Sequence, residues 1–253
     1  MKNLEVLLAP AEFEAFARRD MQGTACVVFD ILRATSTIVT ALAHGAAAAV
    51  PVLQIAEALD WRRRQPGVLL AGERNGLRIR GEHHPADDFD LGNSPREFTA
   101  AVVSGKTIVT TTTNGTRALR ACSGASRTLI GSFLNLAATA RELQRQPAEE
   151  YLLVCSGTQE SAAFEDTLAA GALCDLLLNS VSNLFPSDSA VMARELYLRF
   201  QYDLVAAMQH SANARRLLAL PELQADVPYC LRRNTFDFSA EMQADGAIRK
   251  TAS

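Results

Sequence analysis

The sequence predicts a layered α/β/α protein with a largely parallel or mixed sheet and a helical C-terminal portion. Three observations carry that prediction. Short β-branched runs alternate with helix-spaced stretches from the N-terminus to about residue 180. Beyond that point helical spacing dominates. The strand-like runs also end in polar clusters, and in open α/β sheets ligands bind beyond the carboxyl ends of the strands.

The first predicted strand is "LEVLL" (4–8), followed by a helix near 11–19. "ACVVF" (25–29) is an apolar run that stops at Asp30, and helical spacing resumes over 35–44. "AAVPV" (48–52) and "GVLLA" (67–71) are strands on either side of a helix near 54–64. The polar stretch 72–95 is irregular, and loops of that length inside a compact domain are often functional. A helix near 94–104, the strand "TIVTT" (107–111) and a helix near 115–122 come next. "RTLIG" (127–131) and "YLLVC" (151–155) are strands, with helices near 133–145 and 162–179. The last of these helices is apolar on nearly every side, which predicts burial. Residues 180–233 read as a mainly helical portion of the same domain, with Ser187 or Asp188 as N-cap, and "NTFDF" (234–238) as an edge strand.

At 253 residues the chain is long enough to bury a sizeable core, and one domain spanning 1–253 is the expectation. A formal charge of −3 gives no general attraction to nucleic acid or anionic membrane. No stretch approaches the ~20 apolar residues that span a bilayer, and the N-terminus has no secretory pattern, so a cytoplasmic location is expected. Five widely spaced cysteines read as reduced and buried. Homo-oligomerisation is left open.

The strand ends hold the chemistry. "VVF" runs into Asp30 and Arg33, "VLLAG" into Glu73, "IVTT" into "TTNGT", and "LLVC" into "SGTQES". Asp30 alone could equally be an N-cap. Asn114-Gly115 could be a hairpin turn, but the spacing after it is helical, which makes the turn an anion-binding strand-to-helix junction. Glu165 and Asp166 sit in a helix's first turn, where acids complement the dipole. Being ~100° apart, only one can face a site, and the other caps or meets solvent. If Asp30, Glu73, Asp90 and one of these acids converge, carboxylates ~4 Å apart repel by about 4 kcal/mol at an effective dielectric of ~20. A cation must offset that, and oxygen-only donors point to Mg²⁺. Of the four histidines only the pair His83–His84 stands out, and its polar setting predicts exposure rather than ligation. The expected ligand is a small anionic phosphate ester, with a carboxylate or a water on the metal as nucleophile.

Familiar phosphate motifs do not fit. "SGKT" (104–107) ends like a Walker A loop, but Ala100 stands where its first glycine belongs. Six residues separate Cys26 from Arg33, and the cysteine lies inside a strand, which argues against a cysteine-nucleophile loop. Leu32 occupies the second acid's place in a haloacid-dehalogenase D-x-D pair.

"VVFDILRATSTIVTAL", "GERNGL", "FDLGNSPREF", "TTTNGTRAL" and "CSGTQESAAFEDTLAAGAL" together resemble the 2-phosphosulfolactate phosphatase family, and the tail "DVPYCLRRNTFDF" (226–238) is similar too. The resemblance implies a Mg²⁺-dependent enzyme that hydrolyses phosphosulfolactate to sulfolactate and phosphate, a step of coenzyme M synthesis. It implies Asp30, Arg33, Glu165 and Asp166 as catalytic. It implies Arg33, Thr35, Ser36, Asn93, Ser94, Thr113, Asn114, Gly115 and Ser156 as substrate- or phosphate-binding, and Asp30, Glu73, Asp90 and Glu160 as metal ligands. The passage 78–95 is a few residues longer than is usual in the family. A similar small phosphorylated acid is the alternative substrate. A metal-dependent lyase or transferase and a non-catalytic binder of such a metabolite are the alternative functions.

Overall fold

The computed structural model describes residues 2–16, 18–81 and 87–251. Among the described residues eleven strands form one mixed sheet: β1 (Lys2–Leu7), β2 (Thr24–Phe29), β3 (Ala48–Pro51), β4 (Leu69–Arg74), β5 (Leu77–Arg78), β6 (Thr107–Thr111), β7 (Arg127–Gly131), β8 (Glu150–Cys155), β9 (Leu184–Pro186), β10 (Ala240–Met242) and β11 (Ile248–Lys250). Their spatial order is β5-β4-β6-β3-β11-β10-β7-β2-β8-β1-β9. Two parallel blocks, β4-β6-β3 and β7-β2-β8-β1-β9, are joined by the antiparallel hairpin β10–β11.

Both faces of the sheet are covered, as parallel strands require. Ala25, Val27 and Phe29 of β2 point into a core shared with α6 (Leu136–Arg145), α7 (Phe164–Leu178) and α8 (Asp188–Phe200). The alternate residues Cys26 and Val28 point into a second core with α1 (Phe13–Phe16), α2 (Ala34–Ala43) and α5 (Gly115–Ala121). A third, smaller core lies between β3, β4 and α3 (Ile55–Arg64). The helix α7 is buried on nearly every side, and it touches α8 so closely that a β-carbon on Gly171 would stand 2.0 Å from the Ala193 carbonyl oxygen.

Seven of the eight expected strands are present within a few residues. The differences have local causes. Among the described residues the first helix is a single α turn after a 3₁₀ turn, anchored by the buried Phe13 and Phe16. The stretch 94–104 breaks at Phe98–Thr99 into a 3₁₀ turn and α4 (Ala100–Val103). Residues 180–233 contain α8, α9 (Leu204–Ala207), α10 (Ala212–Leu218) and α11 (Asp226–Cys230), with the short edge strand β9 before them; Ser187 caps α8 by accepting from the Ala190 amide.

"NTFDF" is not a strand. Its Phe236 amide donates to Leu134, and the chain forms β10 and β11 only afterwards. Their turn carries Asp245-Gly246, with Gly246 at φ +78°, a hairpin signal that is easily lost between such short strands. This hairpin fills the middle of the sheet rather than its edge. Ile248 is fully buried there, opposite Ala49.

On a flat sheet the path from β6 to β2 would cover five strand spacings, roughly 24 Å at ~4.8 Å each. Yet a β-carbon on Gly115, just after β6, would stand 2.9 Å from Asp30 Oδ2, just after β2. The segments that follow β6 and β2 therefore converge beyond the carboxyl ends of the two blocks, which the three-residue strands of the hairpin join. Ile248→Ala is expected to lower the unfolding free energy by about 2–5 kcal/mol in urea denaturation. A loss well under 1 kcal/mol would mean that the hairpin is a detachable flap.

Candidate active site

Where the blocks meet lies a cleft of about 210 Å³, walled by Asp30, Leu32 and Arg33 after β2 and by Glu73, Asn75 and Gly76 at the β4–β5 turn. Asn93, the loop Thr112–Asn114, Thr158, Gln159, and Asn213 and Arg216 of α10 complete it.

Asp30 does two things at once. Its Oδ1 accepts from the Ala34 amide at the start of α2, while its carbonyl accepts from the Thr35 amide and hydroxyl. The N-cap of α2 is Arg33, so Asp30 is not itself the cap; its side chain supports the helix start from three residues before that position. Burial is the main force raising its pKa from 3.8 to about 6; the Ala34 amide and the Ser156 hydroxyl oppose the rise, and the charges of Glu73 and Glu165 add to it.

Glu73 is equally buried, and it is bonded on both oxygens. Oε1 accepts from the amide and hydroxyl of Thr113, at 3.1 and 3.0 Å, and Oε2 from the Gly76 amide at 2.6 Å. Asn75 (φ +55°) and Gly76 (φ +85°) form the two-residue turn between β4 and β5, the geometry that Asn-Gly favours. The other Asn-Gly, 114–115, opens α5 instead.

Arg33 is buried at the N-cap of α2. Its two terminal nitrogens donate to Asp226 Oδ2 (2.7 Å) and to the Gly76 carbonyl (2.8 Å). Asp226, fully buried in α11, also accepts from Ser94 Oγ (2.7 Å) and Arg96 Nε (2.8 Å). It is the main residue of this region that sequence reasoning missed as a site residue, although the similar tail begins on it.

The remaining expected positions divide in two. Asn93, Thr113 and Asn114 line the cleft. Thr35 and Ser36 do not; Thr35 Oγ1 closes the Asp30 turn, and Ser36 Oγ bonds the Ile31 carbonyl and Ser132. Ser94 is turned to Asp226. Gly115 gives room to Asp30 and Ala34 rather than to a ligand, since its β-carbon would stand 2.9 Å from each.

Glu165 and Asp166 are both buried, so neither caps the helix nor meets solvent as expected, and neither lines the cleft. Asp166 accepts from the Ile31 amide (2.8 Å), Ser156 Oγ (3.1 Å) and the Gly157 amide (3.1 Å), fixing the loop beside Asp30. Burial first, then the charges of Glu165 and Asp30, hold its carboxyl well above the usual range. Glu165 accepts from Ser211 and Asn213. Ser156 lies behind Asp30, against Asp166.

Two expected metal ligands are elsewhere. Asp90 is partly exposed, paired with Arg62, and accepts from the Leu70 amide, so it fastens the loop to β4. Glu160 is exposed and pairs with Arg117. The His83–His84 pair lies outside the described residues.

Among the described residues no three Asp, Glu, His or Cys side chains form a metal cluster. Two carboxylates, Asp30 and Glu73, face the cleft together. That fits Mg²⁺, which is commonly held by one or two carboxylates together with waters and substrate phosphate oxygens.

The family model for 2-phosphosulpholactate phosphatase matches residues 12–245. The chain belongs to that family. Its relatives include a protein of Caldicellulosiruptor saccharolyticus, 38% identical over 86% of this chain and 88% of the relative. Another, from Thermotoga petrophila, is 40% identical over 83% and 85%. Both are named probable 2-phosphosulfolactate phosphatase. Among the described residues of this family member no helix is long and apolar enough to cross a membrane.

The raised pKa of Asp30 has a consequence for stability. The folded protein resists ionising it, so stability is full below about 4 and is lost as the pH rises through about 6. At ~1.4 kcal/mol per pH unit the loss amounts to roughly 3 kcal/mol. Asp30→Asn in metal-free protein is expected to be more stable than wild type at pH 7 by up to that amount. The advantage should shrink towards pH 4 in urea denaturation. Equal stability at pH 7 would mean that the surrounding donors fully offset the burial.

Proposed function

We propose that this chain is a Mg²⁺-dependent phosphatase that hydrolyses 2-phosphosulfolactate, or a similar small phosphorylated acid, to sulfolactate and phosphate. The observation that carries the reading is the meeting of Asp30 and Glu73, from separate blocks of the sheet, in a cleft sized for a small metabolite. Family membership and the names of the relatives support the substrate class.

Asp30 and Glu73 are the residues that would hold Mg²⁺. When bound, the ion would neutralise phosphoryl charge and make water a better nucleophile. The protein's own part is positioning. Donor bonds from Ala34, Thr113 and Gly76 set the angles of both carboxylates before any ligand arrives. The side-chain amides of Asn93 and Asn114, which line the same cleft, would supply neutral donors to phosphoryl oxygens. Arg33 adds positive charge at the cleft's floor, held in place by Asp226. In the reaction water's oxygen forms the new bond to phosphorus. The ester P–O bond breaks, and the alcohol oxygen leaves with a proton.

Phosphate release from 2-phosphosulfolactate is expected to stop on exhaustive chelation and to return with Mg²⁺. Full turnover without divalent ions would end the metal reading. Asp30→Asn and Glu73→Gln, assayed at saturating Mg²⁺ and substrate, should each lower kcat by about a hundredfold or more. Asn supports a helix start nearly as well as Asp. Near-normal kcat in Asp30→Asn would therefore reduce Asp30 to a helix-holding residue.

A further inference from the structure

The cleft contains two arginines, and their situations differ. Arg33 is buried, and its terminal nitrogens are committed to Asp226 and the Gly76 carbonyl. Arg216, from α10, stands exposed at the mouth. Its partner is the neutral Asn213 Oδ1, at 2.8 Å, and among the described residues it meets no carboxylate. Its guanidinium lies against the Asn75–Gly76 turn, where a β-carbon on Gly76 would stand 3.3 Å from Arg216 Nη1.

The support behind Arg216 is deeper than a surface arginine needs. Asn213 Nδ2 donates to the Leu32 carbonyl (2.7 Å) and to Glu165 Oε1 (3.1 Å), so its Oδ1 is turned to Arg216. Glu165 is itself fully buried and also accepts from Ser211 at 2.7 Å, which caps α10 by accepting from the Ala214 amide. A buried acid thus anchors both the start of α10 and the amide that aims Arg216. An exposed arginine retained only for solubility would need no such chain behind it.

We propose that Arg216 binds the second anionic group of the substrate, the sulfonate or carboxylate remote from phosphorus, with Asn213 and Glu165 as positioning residues. This rests on the phosphatase reading of the cleft. The division of labour follows from charge. Asp30 and Glu73 make the inner cleft acidic and suited to a cation with a phosphoryl group. A further anion is placed best at the mouth, against a guanidinium whose remaining donors suit a planar or tetrahedral oxyanion.

The test compares two esters, 2-phosphosulfolactate and phenyl phosphate, whose far end is uncharged. Arg216→Gln is expected to lower the ratio of their kcat/KM values by roughly tenfold or more, mainly through KM for the dianionic-tailed ester. Arg216→Lys, which keeps the charge but not the fork, should recover part of that ratio. 2-Phospholactate, which lacks the sulfonate, tells which acid group is held: an equal loss of selectivity assigns the carboxylate, and no loss assigns the sulfonate. An unchanged ratio between the first two esters, whether both rates fall together or neither moves, overturns the proposal. If wild type hydrolyses neither ester, the phosphatase reading fails and calorimetric titration with sulfolactate decides. Binding weakened roughly tenfold in Arg216→Gln supports the anion site. Equal affinity, or no binding by wild type, overturns it.

Discussion

Asp226 is a fully buried carboxylate that ties two other stretches of chain to its own helix. It accepts from Arg33 after β2, and from Ser94 and Arg96 beyond the long loop. Arg33 extends the tie to the Gly76 carbonyl in the β4–β5 turn. The end of β2, the Ser94–Arg96 stretch and the β4–β5 turn are thereby fixed relative to α11. Such a pair adds little net stability, because desolvation offsets most of its attraction, but removing one partner costs about 3–5 kcal/mol. Its effect is on arrangement: the loops can meet in only one register without leaving a charge unpaired.

The same logic explains why the sheet is divided. Two carboxylates, Asp30 and Glu73, line one cleft, whereas neighbouring strand ends of one flat block would offer little enclosure. Separate blocks joined by a short hairpin bring both to one cleft, and Gly115 lets the chain pass close to Asp30. The cost is electrostatic. Asp30 and Asp166 are both hard to ionise, because burial is compounded by neighbouring acids. That cost is partly met by oriented backbone amides, at Ala34 for Asp30 and at Ile31 and Gly157 for Asp166.

Much of this was legible in the sequence, for physical reasons that differ by residue. The parallel strands announce themselves as apolar runs because both faces are buried, and Asp30 and Glu73 stand out as acids ending such runs. Thr35, Ser36 and Ser94 looked like phosphate ligands, but short hydroxyl side chains bond nearby backbone or buried acids just as readily. Asp90 and Glu160 met nearby arginines instead of the cleft. Asp226, Asn213 and Arg216 were illegible as site residues. Each lies on a helix whose local pattern reads as ordinary, and only the tertiary path of residues 204–230 carries them to the cleft.

The adjacent acids of α7 show how far a local rule reaches. Set ~100° apart on the helix, Glu165 and Asp166 cannot serve one point, and here they serve two. Asp166 turns to Ile31, Ser156 and Gly157, and so steadies the strand-end loop that presents Asp30. Glu165 turns to Ser211 and Asn213, and so steadies the helix that presents Arg216. One buried helix start therefore braces both sides of the cleft, the inner acidic end and the basic mouth. The rule that only one of the two could face a site was right about direction and wrong about consequence: neither lines the cleft, and the geometry that separates them lets a single turn of α7 reach both sides.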